Sequence, residues 1–419
     1  MKLAPGTPLS ISLVFDPTRS RLSVGRLAID AGLAQLEWSP EVIARKLTVA
    51  GLLYPPEAGL QPARGRAFEG LHGFLADSLP EGWGYLLMRK RLAKLGVDIA
   101  SLTPLERLAL IGDHGRGALV FEPSTTPPED VETLDLDVLA EQATGLLAGE
   151  EARLADTLAG LAGGSGGARP KVHLGFDGQG GVSVGEGEIA RGHAAWLVKF
   201  RAPEDPIDIG PIEEAYATMA EAAGLTLSAH RLIEARQGPG YFATQRFDRT
   251  DGGGRLHMIS LAGALEAPSN VPSTSYDMFL RATRAITRRA DDVAAAFRRM
   301  VFNVLASNRD DHTRQHAYLM DSSGDWRLAP AYDLTYSPGP GGEHYMDVAG
   351  EGRWPTRAHV IKLGEKHSYN LRQVVAVIDE VRAAVADWPM FAKQSGVTAA
   401  SAEAIGQAHA KVWADFEPK

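Results

Sequence analysis

A chain of 419 residues, 44% hydrophobic and 23% charged, has ordinary globular composition and enough length for two or three domains with a sizeable core. Its 43 Lys and Arg against 52 Asp and Glu leave a formal net charge of −9, so no global positive field exists to hold a polyphosphate backbone, and nucleic-acid binding must be local or borrowed from a partner. The absence of cysteine excludes disulfides, thiolate metal sites and Cys nucleophiles. No apolar run approaches the roughly 18 residues of a membrane span, and Met1 to Pro17 lacks the basic start, apolar stretch and cleavage site of a signal peptide. A cytoplasmic protein with no membrane partner is expected.

In chain order, ISLVF and RLSVGRLAI read as strands joined by the polar turn DPTRS, and PEGWGYLLMRKRLAKLG reads as a helix, giving a small α+β unit from Leu9 to about Phe121. The Pro, Thr and acids of residues 123–137 read as a solvated connector at a domain boundary. From Ala152 the glycine clusters GGSGG, DGQGG and GEGE punctuate KVHLGF and AAWLVKF, the pattern of a twisted antiparallel sheet. After Asp208 the chain reads as mostly helical. Within 291–306, Val293, Phe297, Met300, Val301 and Val304 define one buried face, with Asp291 as the expected cap.

Four local signals follow in a fixed order. The first is the loop Gly163-Gly164-Ser165-Gly166-Gly167-Ala168-Arg169-Pro170-Lys171. Without Cβ atoms its backbone N–H groups can approach phosphate oxygens, although the loop alone reads more readily as a flexible interdomain hinge. The second is AAWLVKF, which sets Lys199 at the end of an apolar strand in the manner of the V-A-I-K strand; a solvated strand end is the plainer alternative. The third is the helical stretch Ile212 to Ala223, where Glu213 shares a face with Tyr216 and Ala220 while Glu214 falls with Thr218 and Glu221. Glu213 is therefore the inward candidate to pair with Lys199, against the reading of an ordinary surface acid.

The fourth signal is Asn308-Arg309-Asp310-Asp311-His312-Thr313-Arg314-Gln315, followed by strand-like HAYLM, an SSGD turn, WRLAP and Tyr332-Asp333-Leu334. Protein kinases use H-R-D-x-x-x-x-N and then D-F-G, in which one Asp orients and deprotonates the hydroxyl while the residue five later and the second Asp hold Mg²⁺. Asp310 stands five before Gln315, and Asp333 follows across the predicted hairpin. NRDD alone reads as an acidic turn after a helix; all four signals in kinase order point to phosphoryl transfer. His312 and His316, with Asp310, Asp311 and Asp333, also admit a divalent-metal hydrolase. Against it, the segment reads as loop entering strand and H-E-x-x-H is absent, and Ser165 lacks the strand-to-helix setting of G-x-S-x-G.

SVGRLAID, GFLADSLPEGWG from Gly73 to Gly84, LALIGDHGRGALVF from Leu108 to Phe121, GGARPK, the Lys199 strand, Gln245-Arg246-Phe247-Asp248-Arg249, NRDDH and APAYDL together resemble the HipA family of bacterial toxin kinases, from about Ser23 to Trp388. The resemblance implies a kinase-like two-lobed α+β fold: an amino-terminal α+β subdomain at 1–125 packed on the N-lobe, the N-lobe at 126–249 and a mostly helical C-lobe at 250–419. It implies Asp310 as catalytic Asp, Asp333 as Mg²⁺ ligand, and Lys199 as the phosphate-binding Lys with Glu213 as its partner. Gly166, Gly167, Ala168 and Lys171 would meet the phosphates of ATP, Gln245, Arg246 and Phe247 would meet adenine through their backbone, and Ser165 would be an inhibitory autophosphorylation site. Apart from the resemblance, RFDR reads as a charged edge strand. Gln315 departs from the family's Asn: its carbonyl can still bind Mg²⁺, but the added methylene moves that oxygen by more than an octahedral shell at about 2.1 Å readily accepts.

The expectation is an ATP- and Mg²⁺-dependent Ser/Thr protein kinase, the toxin of a toxin–antitoxin pair, that phosphorylates itself and a cellular protein. Resemblance implies a HipB-like helix-turn-helix antitoxin that brings it to operator DNA, and an aminoacyl-tRNA synthetase as substrate. The alternative, supported by Gln315, is a catalytically silent pseudokinase acting as an antitoxin-bound scaffold or co-repressor.

Overall fold

The computed structural model describes residues 3–4, 6–126, 131–151, 153–185 and 189–417; residues 127–130 of the expected connector and the acids of GEGE lie outside them. Three antiparallel sheets organise the described residues. In the first, β1 (Leu9–Leu13), β2 (Leu22–Asp30), β3 (Leu33–Trp38), β4 (Leu60–Pro62) and β5 (Leu119–Glu122) run in the order β4-β3-β2-β1-β5. β1 and β2 pair across the DPTRS turn, and alternation sets their faces: Leu9, Ile11 and Leu13 are buried while Ser10 is exposed. β5 returns beside β1 and places Phe121 opposite Ile11.

The second sheet holds β6 (Lys171–Phe176), β7 (Val182–Val184), β8 (Ala194–Lys199), β9 (His230–Ile233) and β10 (Tyr241–Gln245) in the order β7-β6-β8-β10-β9. The third joins β11 (His257–Ser260), β12 (Ala317–Met320) and β13 (Trp326–Leu328), and its β12–β13 hairpin is the one expected between Gln315 and Asp333.

The helix Ala290–Leu305 buries Val293, Phe297, Met300, Val301 and Val304 as their spacing requires. Its cap differs from expectation: Arg289 occupies the N-cap without a side-chain bond, and Asp291 lies in the first turn, where its charge favours the helix dipole instead. The helices Leu136–Leu147 and Ala155–Ala162 have no counterpart in the sequence reading. The acids read as connector include the cap of the first, for Asp135 accepts the N–H groups of Asp137 and Val138.

The amino-terminal unit packs on more than the N-lobe. One hydrophobic core runs from Leu27, Leu36 and Phe74 into Leu261, Phe279 and Phe297 of the C-lobe. A second brings Trp83 and Leu87 against Leu158, Leu161, Val172 and Val198 of the N-lobe. Polar bonds reinforce the first, including His257 Nε2 to Val49 O at 2.9 Å and Trp326 Nε1 donating to Thr48 Oγ1 at 3.2 Å. Among the described residues no helix is long and apolar enough to cross a membrane.

Candidate active site

The register that opens β6 at Lys171 and closes β8 at Lys199 sets these two lysines opposite each other. Lys199 Nζ lies 2.9 Å from Glu213 Oε2 and also bonds Asp333. Glu213 is 3% exposed, on the buried face of the helix Ile209–Ala222 together with Tyr216 and Ala220. A third cation joins them: Arg169 Nη1 donates to Glu213 Oε1 at 2.6 Å, and its Nε meets both carboxylate oxygens of Asp205 at 3.0 Å. The sequence reading pairs neither Arg169 nor Asp205 with Glu213 or with each other; a second cation in the glycine-rich stretch, two residues before Lys171, was the available signal. Lys171 Nζ donates to Gly166 O at 2.6 Å, and burial brings its pKa down to about 8. Burial opposes charge on Lys199 too, but Asp333 and Glu213 outweigh it and raise its pKa.

Beyond Leu305 the chain turns through Ser307 at φ 54°, Asn308 Nδ2 donates to Asn303 Oδ1 at 3.0 Å, and the Arg309 N–H reaches Ser337 O at 3.3 Å. The two aspartates that follow diverge. Asp311 is fully buried and accepts from Tyr276 OH at 2.6 Å, from His344 Nδ1 at 2.8 Å and from the Tyr345 N–H at 2.8 Å. The Asp310 side chain is 46% exposed, with His312 Nε2 at 3.9 Å. Desolvation, with the charges of Asp333 and Asp311, raises its pKa against the opposing pull of His312, in the direction a general base requires.

Asp333 has φ 56°, an uncommon conformation outside glycine that clusters at functional sites. Burial alone would raise its carboxyl, but Lys199 and Lys171, helped by Arg169, hold it well below the usual carboxylate range. Gln315 arrives beside it, as its spacing implies, yet presents nitrogen: Nε2 donates to Asp333 Oδ2 at 2.9 Å.

RFDR is a buried clasp and not a charged edge strand. Arg246 holds Asp248 through Nε–Oδ1 and Nη2–Oδ2 bonds of 3.0 Å. Arg249 Nη1 bonds Asp248 Oδ2 at 2.7 Å and Gly117 O at 3.1 Å, and its Nη2 reaches Gly115 O at 3.0 Å. The motif thus locks the amino-terminal HGRG loop onto the N-lobe. Arg246 is committed to the protein in its backbone as well, its N–H donating to Ala195 O at 2.8 Å, and the Gln245 N–H donates to Ala229 O at 2.8 Å. The Phe247 ring packs on Tyr332, the neighbour of Asp333, with centroids 5.3 Å apart.

Ser165 is 2% exposed, and a Cβ on Gly84 would stand 2.5 Å from its carbonyl oxygen, so modification there requires the loop to leave this position. The two histidines do not share a face: His316 is buried with its ring 4.2 Å from that of Phe279, whereas His312 stacks edge-on with Tyr345. Among the described residues no group of three or more His, Asp or Glu is arranged to hold a metal ion, as a hydrolase of that kind needs. A cavity of about 900 Å³ backs the Lys199–Glu213–Arg169 cluster; Asp310 and Asp333 do not line it.

Comparison with known proteins agrees with this architecture. Residues 19–122 match the HipA N-terminal domain and residues 163–388 the HipA-like C-terminal domain. HipA of Shewanella oneidensis MR-1, solved in a toxin–antitoxin complex with HipB and operator DNA, is similar with a TM-score of 0.68 at 17% identity, over 98% of this chain and 96% of that one, which shows a shared fold. The Sinorhizobium fredii (strain NBRC 101917 / NGR234) protein Y4mE, whose name calls it a kinase, is 30% identical over 128 residues, a stretch that spans 28% of this chain and only 30% of that relative's length.

Proposed function

The chain belongs to the HipA family, and from that premise we propose that it is an ATP- and Mg²⁺-dependent Ser/Thr protein kinase, the toxin of a toxin–antitoxin pair. The observation that carries the reading is the contrast inside one cluster: Lys199 neutralised by Glu213 and Asp333, with Asp310 left half-exposed and raised in pKa beside them.

Two buried lysines facing Asp333 suit an anionic polyphosphate bridged by a hard cation, which takes one or two carboxylates plus phosphate oxygens. Asp333 and, after rotation of its amide, Gln315 would hold Mg²⁺, which would offset charge developing on the transferred phosphoryl group. Lys171 and Lys199 would hold phosphates, and Gln245, Arg246 and Phe247 would border the adenine end. Asp310 orients the acceptor hydroxyl and takes its proton as the hydroxyl oxygen bonds the γ-phosphorus and the bond to ADP breaks. The accepting hydroxyls belong to the chain itself, at Ser165 once its loop is released, and to a cellular protein, for which an aminoacyl-tRNA synthetase is the proposed class. A HipB-like helix-turn-helix antitoxin would carry the kinase to operator DNA and supply the cationic surface that a chain of net charge −9 lacks.

A second reading, a pseudokinase scaffold, is favoured by the Gln315 amide turned onto Asp333. Incubation with labelled ATP and Mg²⁺ separates the two. Transfer to protein that Asp310→Asn abolishes supports the kinase, whereas nucleotide binding without transfer supports the scaffold.

A further inference from the structure

Eight residues of the amino-terminal domain, Asp77 to Gly84, touch both lobes. Asp77 is buried, and its Oδ2 accepts the Ser260 N–H at 2.6 Å while Oδ1 accepts the Ser260 hydroxyl at 2.7 Å, fixing the start of the C-lobe helix Leu261–Leu265. Four residues on, Glu81 Oε2 lies 2.9 Å from Nη1 of Arg314 in the catalytic loop. Then Gly82, Trp83 and Gly84 run along the glycine-rich loop. The Trp83 N–H donates to Gly167 O at 2.9 Å, its indole Nε1 donates to Lys171 O at 3.0 Å, and a Cβ on Gly82 would stand 2.4 Å from Gly167 O. Only glycine permits that approach.

Glu81 breaks a local rule. It occupies the N-cap of the helix Gly82–Lys94, where a side-chain oxygen normally accepts a first-turn N–H, and it makes no such bond. Its carboxylate reaches Arg314 instead, whose side chain is only 10% exposed. Arg314 lies next to the groups that act: its carbonyl accepts Tyr332 OH at 2.6 Å, and Gln315 bonds Asp333. A local preference given up for a long-range contact is expected where function sets the sequence.

We propose that Asp77–Gly84 is a strut that sets the spacing of the glycine-rich loop from the catalytic loop, and that Glu81 is a positioning residue acting on the catalytic loop through Arg314. The inference rests on the kinase reading for its consequence, though not for its geometry. Phosphoryl transfer depends on alignment, and slack of a fraction of an ångström between the loops slows it without loosening the nucleotide. The amino-terminal domain is on this account part of the catalytic apparatus, and displacing it would relax both loops together.

The test uses the full-length chain and Glu81→Gln, which keeps size and removes charge at a half-exposed position. Single-turnover transfer from ATP should slow about ten- to a hundredfold, with affinity for a fluorescent ATP analogue within about twofold of wild type and melting temperature nearly unchanged. Glu81→Gln combined with Arg314→Gln should be no slower than Arg314→Gln alone, because the two side chains act as one contact. Hydrogen exchange over residues 310–316 should be faster in Glu81→Gln than in wild type, a readout that needs no turnover. A wild-type chain that transfers nothing while this exchange still rises would remove the kinase reading and keep the strut. Wild-type transfer rate in Glu81→Gln, additive rate losses in the double variant, or unchanged exchange would each overturn the strut.

Discussion

Two stretches pair arginine with aspartate, RFDR at 246–249 and NRDD at 308–311, and they end in opposite states. In the first, Asp248 is sealed between Arg246 and Arg249 and also accepts the Gly117 N–H at 2.7 Å, so its lone pairs are used by the fold. In the second, Asp311 is filled in the same way by Tyr276, His344 and the Tyr345 backbone, while Asp310 beside it makes no comparable set of bonds and is half-exposed. An acid does chemistry where its surroundings leave it unsatisfied. The motif alone does not say which kind it is.

Neutralising each carboxylate tests the contrast. Asp310→Asn should lower phosphoryl transfer about 10²–10⁴-fold, the usual worth of a positioned general base, with nucleotide affinity and unfolding free energy close to wild type. A stability loss instead of a rate loss would make Asp310 another structural acid.

Asp248→Asn should destabilise the fold by about 3–5 kcal/mol in urea denaturation, since two buried guanidinium groups lose their counter-charge. Burial opposes its charge, but Arg246 and Arg249 hold the Asp248 carboxyl far below the usual range. Its contribution is therefore fully present above the unfolded-state value near about pH 4 and is lost as pH falls toward the folded one. The Asn variant should lack that acid-side decline, and a variant as stable as wild type would end the clasp account.

A smaller effect is expected at Gln315. Its longer amide suits Mg²⁺ poorly, so transfer should be slow with Mg²⁺ and rise with Mn²⁺, and Gln315→Asn should restore preference for Mg²⁺ with faster turnover. Equal initial rates for both proteins in both metals would show that residue 315 does not ligate.

The smallest is a pH effect at Lys171, whose pKa burial lowers to about 8. Phosphates bind its charged form, so nucleotide affinity should hold below pH 8 and fall by up to about tenfold per pH unit above it, a dependence that Lys171→Met removes. The sign for stability is opposite: between about 8 and the ordinary 10.5 the unfolded chain binds more protons at this site, so its contribution to stability rises with pH.

Lys199, Glu213, Asp310, Gln315 and Asp333 were legible because short-range spacing betrays them: a strand end, one face of a helix, a five-residue step, a hairpin. The contacts that complete the site were not. Arg169 finds Asp205 from 36 residues away, and Asp248 finds Gly117 from 131 away; such pairs are made by the fold and leave no periodic trace. Sheet register has the same character, for nothing local announces that Lys171 stands opposite Lys199. The helix Leu136–Leu147 escaped because its capping Asp135 looks, in sequence, like any connector acid.

The central claim is that this cluster transfers phosphate with Asp310 as its base. Its most direct test is the intact mass of the purified chain before and after incubation with ATP and Mg²⁺, with Asp310→Asn alongside. The account predicts a gain of at least one phosphate in the wild-type chain and none in the variant. An unchanged wild-type mass despite bound nucleotide, or an equal gain in both proteins, would contradict it.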